Sequence, residues 1–195
     1  MLSPKKSLDI LKKTDALLEG HFILSSGLHS SRYVQCAKLL SFPHLAEKIC
    51  KSLATKVKKR FKKIDLILAP ALGGIVIGYE IGRILKKETI FCERVKGKFT
   101  LRRGFNIRKG MNVLIIEDVI TTGKSSLECV RLIKDSKAKL LGFASLIDRS
   151  SKQTLKIKKR IVSQLKISVP TYKKKKLPKN LISIPVTKPG SRFIK

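Results

Sequence analysis

Residues 113–126, VLIIEDVITTGKSS, decide the fold of this chain. An apolar run leads into two adjacent acids, Glu117 and Asp118, and the small residues 121–123 then open a stretch with helical spacing. Open α/β sheets bind their ligands where parallel strands end and the chain turns into a helix. We therefore predict a strand, a turn and a helix here, with a ligand site at the turn.

The turn has the composition of a phosphate cup. Backbone N–H groups at a helix N-terminus converge on one point, and the hydroxyls of Thr121, Thr122 and Ser125 add donors. The GKS triplet also suggests a P-loop, but the first glycine of that motif would fall on Asp118, so the P-loop is excluded. The remaining alternative is an ordinary strand–turn–helix with a solvated acid pair.

Apolar strands and amphipathic helices alternate on both sides of this segment. They predict an α/β fold with a central, mostly parallel sheet flanked by helices. We expect a first helix between Ser3-Pro4 and Gly20, and no regular period from Glu93 to Gly110. The other expected elements are strands on either side of 25–27, a helix from Pro43, a strand at 64–70, a helix opened by Gly73-Gly74, and strands at 89–92, 112–118 and 140–148.

The chain of 195 residues is strongly basic, with 44 Lys and Arg against 13 Asp and Glu and a net charge of +31. Such a field attracts anions of any kind, so nucleic acid, anionic lipid and phosphorylated metabolites are all possible partners. Because most of the cations are lysines scattered along the chain, we interpret them as solvated faces and expect neither nucleic acid nor membrane as a partner. The longest nearly uncharged apolar stretch, 66–79, is too short to cross a bilayer.

The four cysteines (Cys36, Cys50, Cys92 and Cys129) form no CxxC pair, and the N-terminus lacks an apolar signal region. These features predict reduced thiols and a cytoplasmic protein.

The segment 117–123, EDVITTG, resembles the phosphoribosyl diphosphate signature of the type I phosphoribosyltransferases. The wider pattern is similar to that of the orotate phosphoribosyltransferases within that family. The supporting segments are 24–27 (LSSG), 69–75 (APALGGI), 97–104 (GKFTLRRG), Asp148-Arg149 and 188–192 (KPGSR). The resemblance implies the type I phosphoribosyltransferase fold as one domain over 1–195, with a core at about 42–150 and a small hood from about 1–41 and 160–195.

The resemblance also implies a reaction, in which ribose 5-phosphate passes from phosphoribosyl diphosphate to orotate and pyrophosphate leaves. Glu117 and Asp118 would hold the ribose hydroxyls, and the cup from Thr121 to Ser126 would hold the 5-phosphate. Leu72 and Gly73 would present backbone N–H groups to pyrophosphate, beside a cis bond near Ala71-Leu72. The implied phosphoribosyl diphosphate site comprises Leu72, Gly73, Glu117, Asp118, Val119, Ile120, Thr121, Thr122, Gly123, Lys124 and Ser125.

The implied cofactor is Mg²⁺, held mainly by substrate oxygens, with no direct protein ligand and with Asp118 in contact through a water. Arg149 and Thr121 would bind orotate, since a guanidinium can pair a carboxylate bidentately. The implied catalytic residues are Lys98, Arg94 and Asp118, the first two on a basic loop over 93–105. In the family this loop closes over the neighbouring subunit's site, which implies a homodimer with shared active sites.

Two alternatives remain. The first is a phosphoribosyltransferase for a purine or another base, against which Arg149 argues because such a base carries no carboxylate. The second is a nucleic-acid-binding regulator on the same fold, favoured by the charge, although the sequence shows no separate helix-turn-helix module.

Overall fold

The computed structural model describes residues 1–24, 27–151, 155–158 and 161–189. The predicted segments at 24–27 and 188–192 lie partly outside these residues. The helices are α1 Pro4–Lys13, α2 Cys36–Leu40, α3 Pro43–Arg60, α4 Gly73–Leu85, α5 Lys124–Asp135 and α6 Lys179–Ile182. The strands are β1 Leu17–Ile23, β2 His29–Val34, β3 Leu66–Pro70, β4 Glu88–Val95, β5 Lys98–Thr100, β6 Asn112–Ile120, β7 Lys139–Asp148, β8 Ile161–Lys166, β9 Thr171–Tyr172 and β10 Val186–Thr187.

The central sheet has six strands in the order β5-β4-β3-β6-β7-β8. All neighbouring pairs in it are parallel except β4 and β5, which form an antiparallel hairpin at one edge. The predicted α/β fold with a mostly parallel sheet is therefore confirmed. None of the helices among the described residues is long and apolar enough to span a bilayer.

Alternate residues of the central strands face opposite sides of the sheet and build two cores. Ile67, Leu114 and Ile116 pack with α3 and α4 on one side. Leu68, Val113 and Ile115 pack with α5 on the other side. Because both faces are covered, the strands are apolar almost throughout, as parallel sheets require.

A second sheet of four strands, in the order β10-β1-β2-β9, joins the N- and C-terminal parts of the chain. The resemblance implied a hood from about 1–41 and 160–195. However, β8 pairs with β7 in the central sheet, so the C-terminal contribution to the small sheet begins at β9, later than the expected boundary near 160.

Two local predictions are wrong. The first helix has the expected N-cap, where the Ser3 side chain accepts from Lys6 N, but it ends at Lys13. Gly20 lies inside β1 with an extended φ of 159° and does not stop the helix.

The stretch from Glu93 is also more regular than expected. β4 continues to Val95 and turns through Lys96 and Gly97, whose φ angles are 47° and 79°, into β5. Two consecutive left-handed residues make the tight turn that joins antiparallel strands, so the first part of the predicted loop is a hairpin.

Candidate active site

Three strand ends meet at one edge of the central sheet. β3, β6 and β7 are neighbours in the order β3-β6-β7, and their carboxyl ends lead into α4, α5 and the Asp148-Arg149 pair. The backbone N–H of Arg149 donates to the Ile120 carbonyl over 2.9 Å, which ties the end of β7 to the end of β6. Three of the predicted segments, at 69–75, 117–125 and 148–149, are thus brought together here.

The turn after β3 lies directly against the acid pair. The peptide bond between Ala71 and Leu72 is cis, as the resemblance implied. A Cβ at Gly73 would lie 2.6 to 2.8 Å from the carboxylate atoms of Asp118, so glycine is required for this approach. The first turn of α4 therefore lies directly against the Asp118 side chain. The neighbouring Leu72 is 84% exposed.

The Glu117 carboxylate is buried at the end of β6. Only 9% of the residue is exposed, and its Oε1 accepts a hydrogen bond from the fully buried Ser126 hydroxyl. Burial raises the pKa of Glu117 to about 7, with a further upward contribution from the Asp118 charge; the Ser126 hydrogen bond acts in the opposite direction.

Asp118 is half-buried and its pKa is also raised by burial. Its Oδ1 accepts from the Val119 N–H at 2.8 Å, which favours the charged form. The two neighbouring acids therefore differ in their surroundings, Glu117 facing Ser126 and Asp118 facing the start of α4.

The cup closes around Gly123, the left-handed N-cap of α5 with φ 74°. A Cβ there would meet the Ile157 side chain at 2.5 Å, and the Thr122 carbonyl accepts from Lys156 N at 3.0 Å. The segment 155–158 thus supports the turn from behind, a contact that no sequence pattern indicated.

The residues of the predicted cup divide into three groups. Thr121 and Lys124 are exposed, and Thr122 and Ser125 are half-buried, so their polar groups are available at the mouth of the turn. Val119 and Ile120 are apolar strand residues and can offer a ligand only their backbone groups. Ser126, which the prediction included in the cup, instead donates its hydroxyl to Glu117, and in that arrangement it is not a phosphate donor.

Arg149 lies between the two sheets. Its guanidinium Nε is buried and has no hydrogen-bond partner among the described residues. Burial lowers the pKa of Arg149, whereas nearby Tyr33 on β2 raises it. A buried cationic donor without a partner is costly, so the site is built to receive an acceptor at this point.

The two predicted basic residues of the hairpin have different surroundings. Arg94 pairs with Glu128 of α5 at 2.6 Å, donates to the Gly97 carbonyl at 2.7 Å and lies 4.1 Å from the Phe99 ring centroid. Lys98 is exposed and forms no ion pair within the described part of the chain. Arg102 and Arg103 both pair with Glu93.

The chain is similar in sequence to known phosphoribosyltransferases. The family model for the phosphoribosyl transferase domain matches residues 41–175. The orotate phosphoribosyltransferase of Parvibaculum lavamentivorans is 45% identical over 99% of this chain and 100% of its own length. That of Caldicellulosiruptor saccharolyticus is 44% identical over 96% and 97%.

Solved structures share the fold at lower identity. The orotate phosphoribosyltransferase from Aeropyrum pernix has a TM-score of 0.67 at 22% identity, covering 82% of this chain and 92% of that one. The Leishmania donovani UMP synthase has a TM-score of 0.71 at 19% identity, covering 85% and 37%. An adenine phosphoribosyltransferase gives 0.66 at 19%, covering 80% and 99%, so the fold alone does not distinguish the base.

Proposed function

This chain belongs to the phosphoribosyltransferase family and, within it, to the orotate phosphoribosyltransferases, and we propose that its site carries out the reaction of that enzyme class. The bond between C1 of the ribose and the pyrophosphate oxygen of phosphoribosyl diphosphate breaks. A bond from C1 to N1 of orotate forms, giving orotidine 5′-phosphate for pyrimidine synthesis.

The buried guanidinium Nε of Arg149 is the observation that favours orotate as the base. Its buried Nε has no partner among the described residues, and it lies beside the strand ends where a base must face the ribose. The carboxylate of orotate supplies two acceptor oxygens in one plane, which suits a guanidinium fork. A purine has no such group and would leave the cation buried and unpaired.

The cup, the acid pair and the start of α4 would each bind a different part of the phosphoribosyl diphosphate. We assign the 5-phosphate to the N–H groups and hydroxyls at 121–125, with the exposed Lys124 adding charge. The ribose hydroxyls donate to Glu117 and Asp118, and the pyrophosphate faces the first N–H groups of α4 at Leu72-Gly73. The close approach of Gly73 to Asp118 supports this assignment, since the pyrophosphate and the ribose hydroxyls are neighbouring groups of the substrate.

The donor set suits a magnesium ion carried by the substrate. Among the described residues no group of three or more His, Cys, Asp and Glu side chains could form a metal cage. Two adjacent carboxylates, one of them already bonded to Ser126, match the usual binding of Mg²⁺ by substrate phosphates with one or two protein contacts. When bound, the ion neutralises the diphosphate charge, and Asp118 would contact it through a water.

Departure of pyrophosphate is the step that needs protein cations. The transition state resembles an oxocarbenium ion while negative charge builds on the leaving group, so a positive donor at the diphosphate lowers the barrier. We propose Lys98 for this role, because its ammonium is exposed and forms no ion pair with another described residue. Arg94 is the second candidate and would first have to leave Glu128.

We further propose that the enzyme is a homodimer whose hairpins complete each other's sites. Leu72, Val76 and Tyr79 are 84%, 51% and 67% exposed, and their spacing puts them on one face of α4 next to the site. A large exposed apolar face marks a protein contact, and a second copy placed there would lie beside the active site. We place the enzyme in the cytoplasm, consistent with its four free cysteines.

An absorbance assay tests the proposed function directly. Protein, magnesium, phosphoribosyl diphosphate and orotate are mixed, and the ultraviolet band of orotate is followed as the base is consumed. We expect loss of orotate and release of pyrophosphate, with adenine and hypoxanthine unreactive. Turnover of a purine but not of orotate would overturn the assignment, and DNA binding that depends on salt, without pyrophosphate release, would favour the regulator.

The variant Arg149→Ala tests the residue that carries the choice of base. We expect the orotate KM to rise by ~10²-fold, which corresponds to a charge-assisted contact of about 3 kcal/mol, while the phosphoribosyl diphosphate KM changes little. Arg131→Ala is the matched control, since Arg131 is exposed on α5 and pairs only with Asp135. An unchanged orotate KM in Arg149→Ala would refute the role of Arg149.

A further inference from the structure

A cavity of about 510 Å³ lies at the opposite edge of the central sheet from the active site. It is bordered by the end of α3, the connection into β3, and the connection from α4 into β4. These connections meet the amino-terminal ends of β3 and β4, whereas substrates bind at the carboxyl ends. The cavity is therefore separate from the proposed reaction site.

The lining has an apolar floor and a cationic rim. Phe61 and Ile64 are buried and Leu85 is half-buried, and together they form the floor. Among the residues that the structure describes, no carboxylate lines the cavity. The rim consists of five exposed lysines, Lys58, Lys59, Lys62, Lys63 and Lys87.

Helix capping explains only part of this rim. Lys58 and Lys59 lie in the last turn of α3, where cations offset the helix dipole. Lys62, Lys63 and Lys87 lie outside the helices and do not serve that purpose. Asp65 is the acid next to these lysines in the sequence; it accepts two 2.8 Å hydrogen bonds from Asn112, and the charge of Lys87 helps to lower its pKa.

We propose that this cavity, the lysine cavity, binds a nucleotide that carries two or more phosphoryl groups. The ammonium groups would contact the phosphates, and the apolar floor would cover one side of the ring. The volume lies within the usual range for small-molecule sites. A single-stranded RNA would need a longer basic track with several aromatic side chains, whereas the described lining of the cavity holds one, Phe61.

Calorimetric titration with ADP tests the proposal on the whole protein, with ribose 5-phosphate present in saturating amounts to fill the cup at 121–125. We expect one ADP site, weakened at least about tenfold in the triple variant Lys58→Gln/Lys62→Gln/Lys63→Gln. The matched control is Lys174→Gln/Lys175→Gln/Lys176→Gln, which removes the same charge from an exposed turn away from the cavity. This control should change the ADP Kd less than about twofold.

Three outcomes would overturn the proposal. Equal weakening by both triple variants would show general charge attraction, and tripolyphosphate binding as tightly as ADP would show that the floor recognises no ring. Tighter binding of a uridine oligoribonucleotide, sensitive to both triple variants, would show an RNA surface instead. Ribose 5-phosphate is titrated alone beforehand, so that its failure to bind counts against the proposed function and leaves the ADP result interpretable.

Discussion

Ser126 orients one of the two site acids without facing the ligand itself. Its hydroxyl is buried and donates to Glu117 Oε1, so the other carboxylate oxygen is the one available for the proposed ribose contact. The family resemblance implied a phosphate cup from Thr121 to Ser126, with Ser126 as one of its residues. The helical turn from Gly123 rotates residue 126 inward, back toward β6, and spacing alone does not show which partner it meets there.

We expect Ser126→Ala to weaken phosphoribosyl diphosphate binding about three- to tenfold, since the lost hydrogen bond frees a buried carboxylate to rotate. Steady-state kinetics with both substrates checks this, and the orotate KM should stay within about twofold. Ser125→Ala is the matched variant at the mouth of the cup, and there the weaker binding should instead appear for inorganic phosphate as a competing ligand, since that ion carries no ribose. If Ser126→Thr, which keeps the hydroxyl, behaves like Ser126→Ala, the hydrogen bond is not the cause.

The raised pKa of Glu117 couples its ionisation to folding. The folded protein holds this proton up to about pH 7, whereas the unfolded chain loses it near the ordinary value of 4.5. Because the folded state binds more protons in between, this group makes the free energy of unfolding fall as pH rises from about 4.5 to 7, by at most about 1.4 kcal/mol per pH unit. The contribution is fully present below that window and lost above it.

Urea unfolding of the wild type and of Glu117→Gln at pH 5 and pH 8 measures this contribution. The difference between the two proteins removes the effect of the other titrating groups, and we expect the variant to gain stability relative to the wild type as pH rises. Parallel curves for the two proteins would show that Glu117 ionises normally in the folded state.

At the scale of elements, the strands buried on both faces could be predicted from the sequence, whereas the edge strand β5 and the end of α1 could not. β3, β6 and β7 are apolar runs that suit a covered parallel sheet, so their existence and type follow from sequence, whereas their order in the sheet comes only from the structure. β5 has only Phe99 buried among its three residues and depends on pairing with β4, which no period in 93–110 indicates. Likewise α1 ends at Lys13 because β1 pairs with β2, a long-range contact that overrides the helix pattern.

Two glycines of α4 have different roles, Gly73 in its first turn and Gly78 near its middle. Gly73 faces the Asp118 carboxylate, while a Cβ at Gly78 would meet the Ala69 side chain at 2.7 Å. We expect Gly73→Ala to raise the phosphoribosyl diphosphate KM at least about tenfold with little loss of stability, because alanine favours the helix but displaces Asp118. Gly78→Ala should instead lower the Tm through overpacking and leave that KM nearly unchanged.

If this division is correct, Gly73→Ala raises the phosphoribosyl diphosphate KM with little change in Tm, whereas Gly78→Ala lowers the Tm with little change in that KM. Steady-state kinetics and thermal unfolding of both variants measure this. If Gly73→Ala were as unstable as Gly78→Ala and bound substrate normally, the start of α4 would serve packing and not pyrophosphate.

At the scale of the whole molecule, the net charge of +31 does not identify the function, although it draws phosphorylated substrates toward every face. The groups that we propose select the reaction are Arg149, whose Nε has no partner among the described residues, Glu117, which is bonded to Ser126, and Asp118, which Gly73 approaches closely. The exposed Lys98 lies on β5 at the sheet edge, and two strands, β4 and β3, separate it from β6. That separation favours the proposed homodimer, since a partner's hairpin could reach a site from outside the sheet.

Hybrid dimers decide whether the sites are shared. Lys98→Ala should lower kcat by ~10²-fold and Asp118→Asn should abolish ribose binding, so each variant alone is nearly inactive. Co-expression of the two in equal amounts should restore roughly a quarter of wild-type activity, because half of the dimers are hybrids and each hybrid has one intact site of two. The control pair, Arg149→Ala with Asp118→Asn, damages two residues assigned to the same subunit's site and should show no recovery. If the Lys98→Ala pair also fails to recover while size-exclusion chromatography shows dimers, then Lys98 acts within its own subunit and the shared-site proposal is wrong.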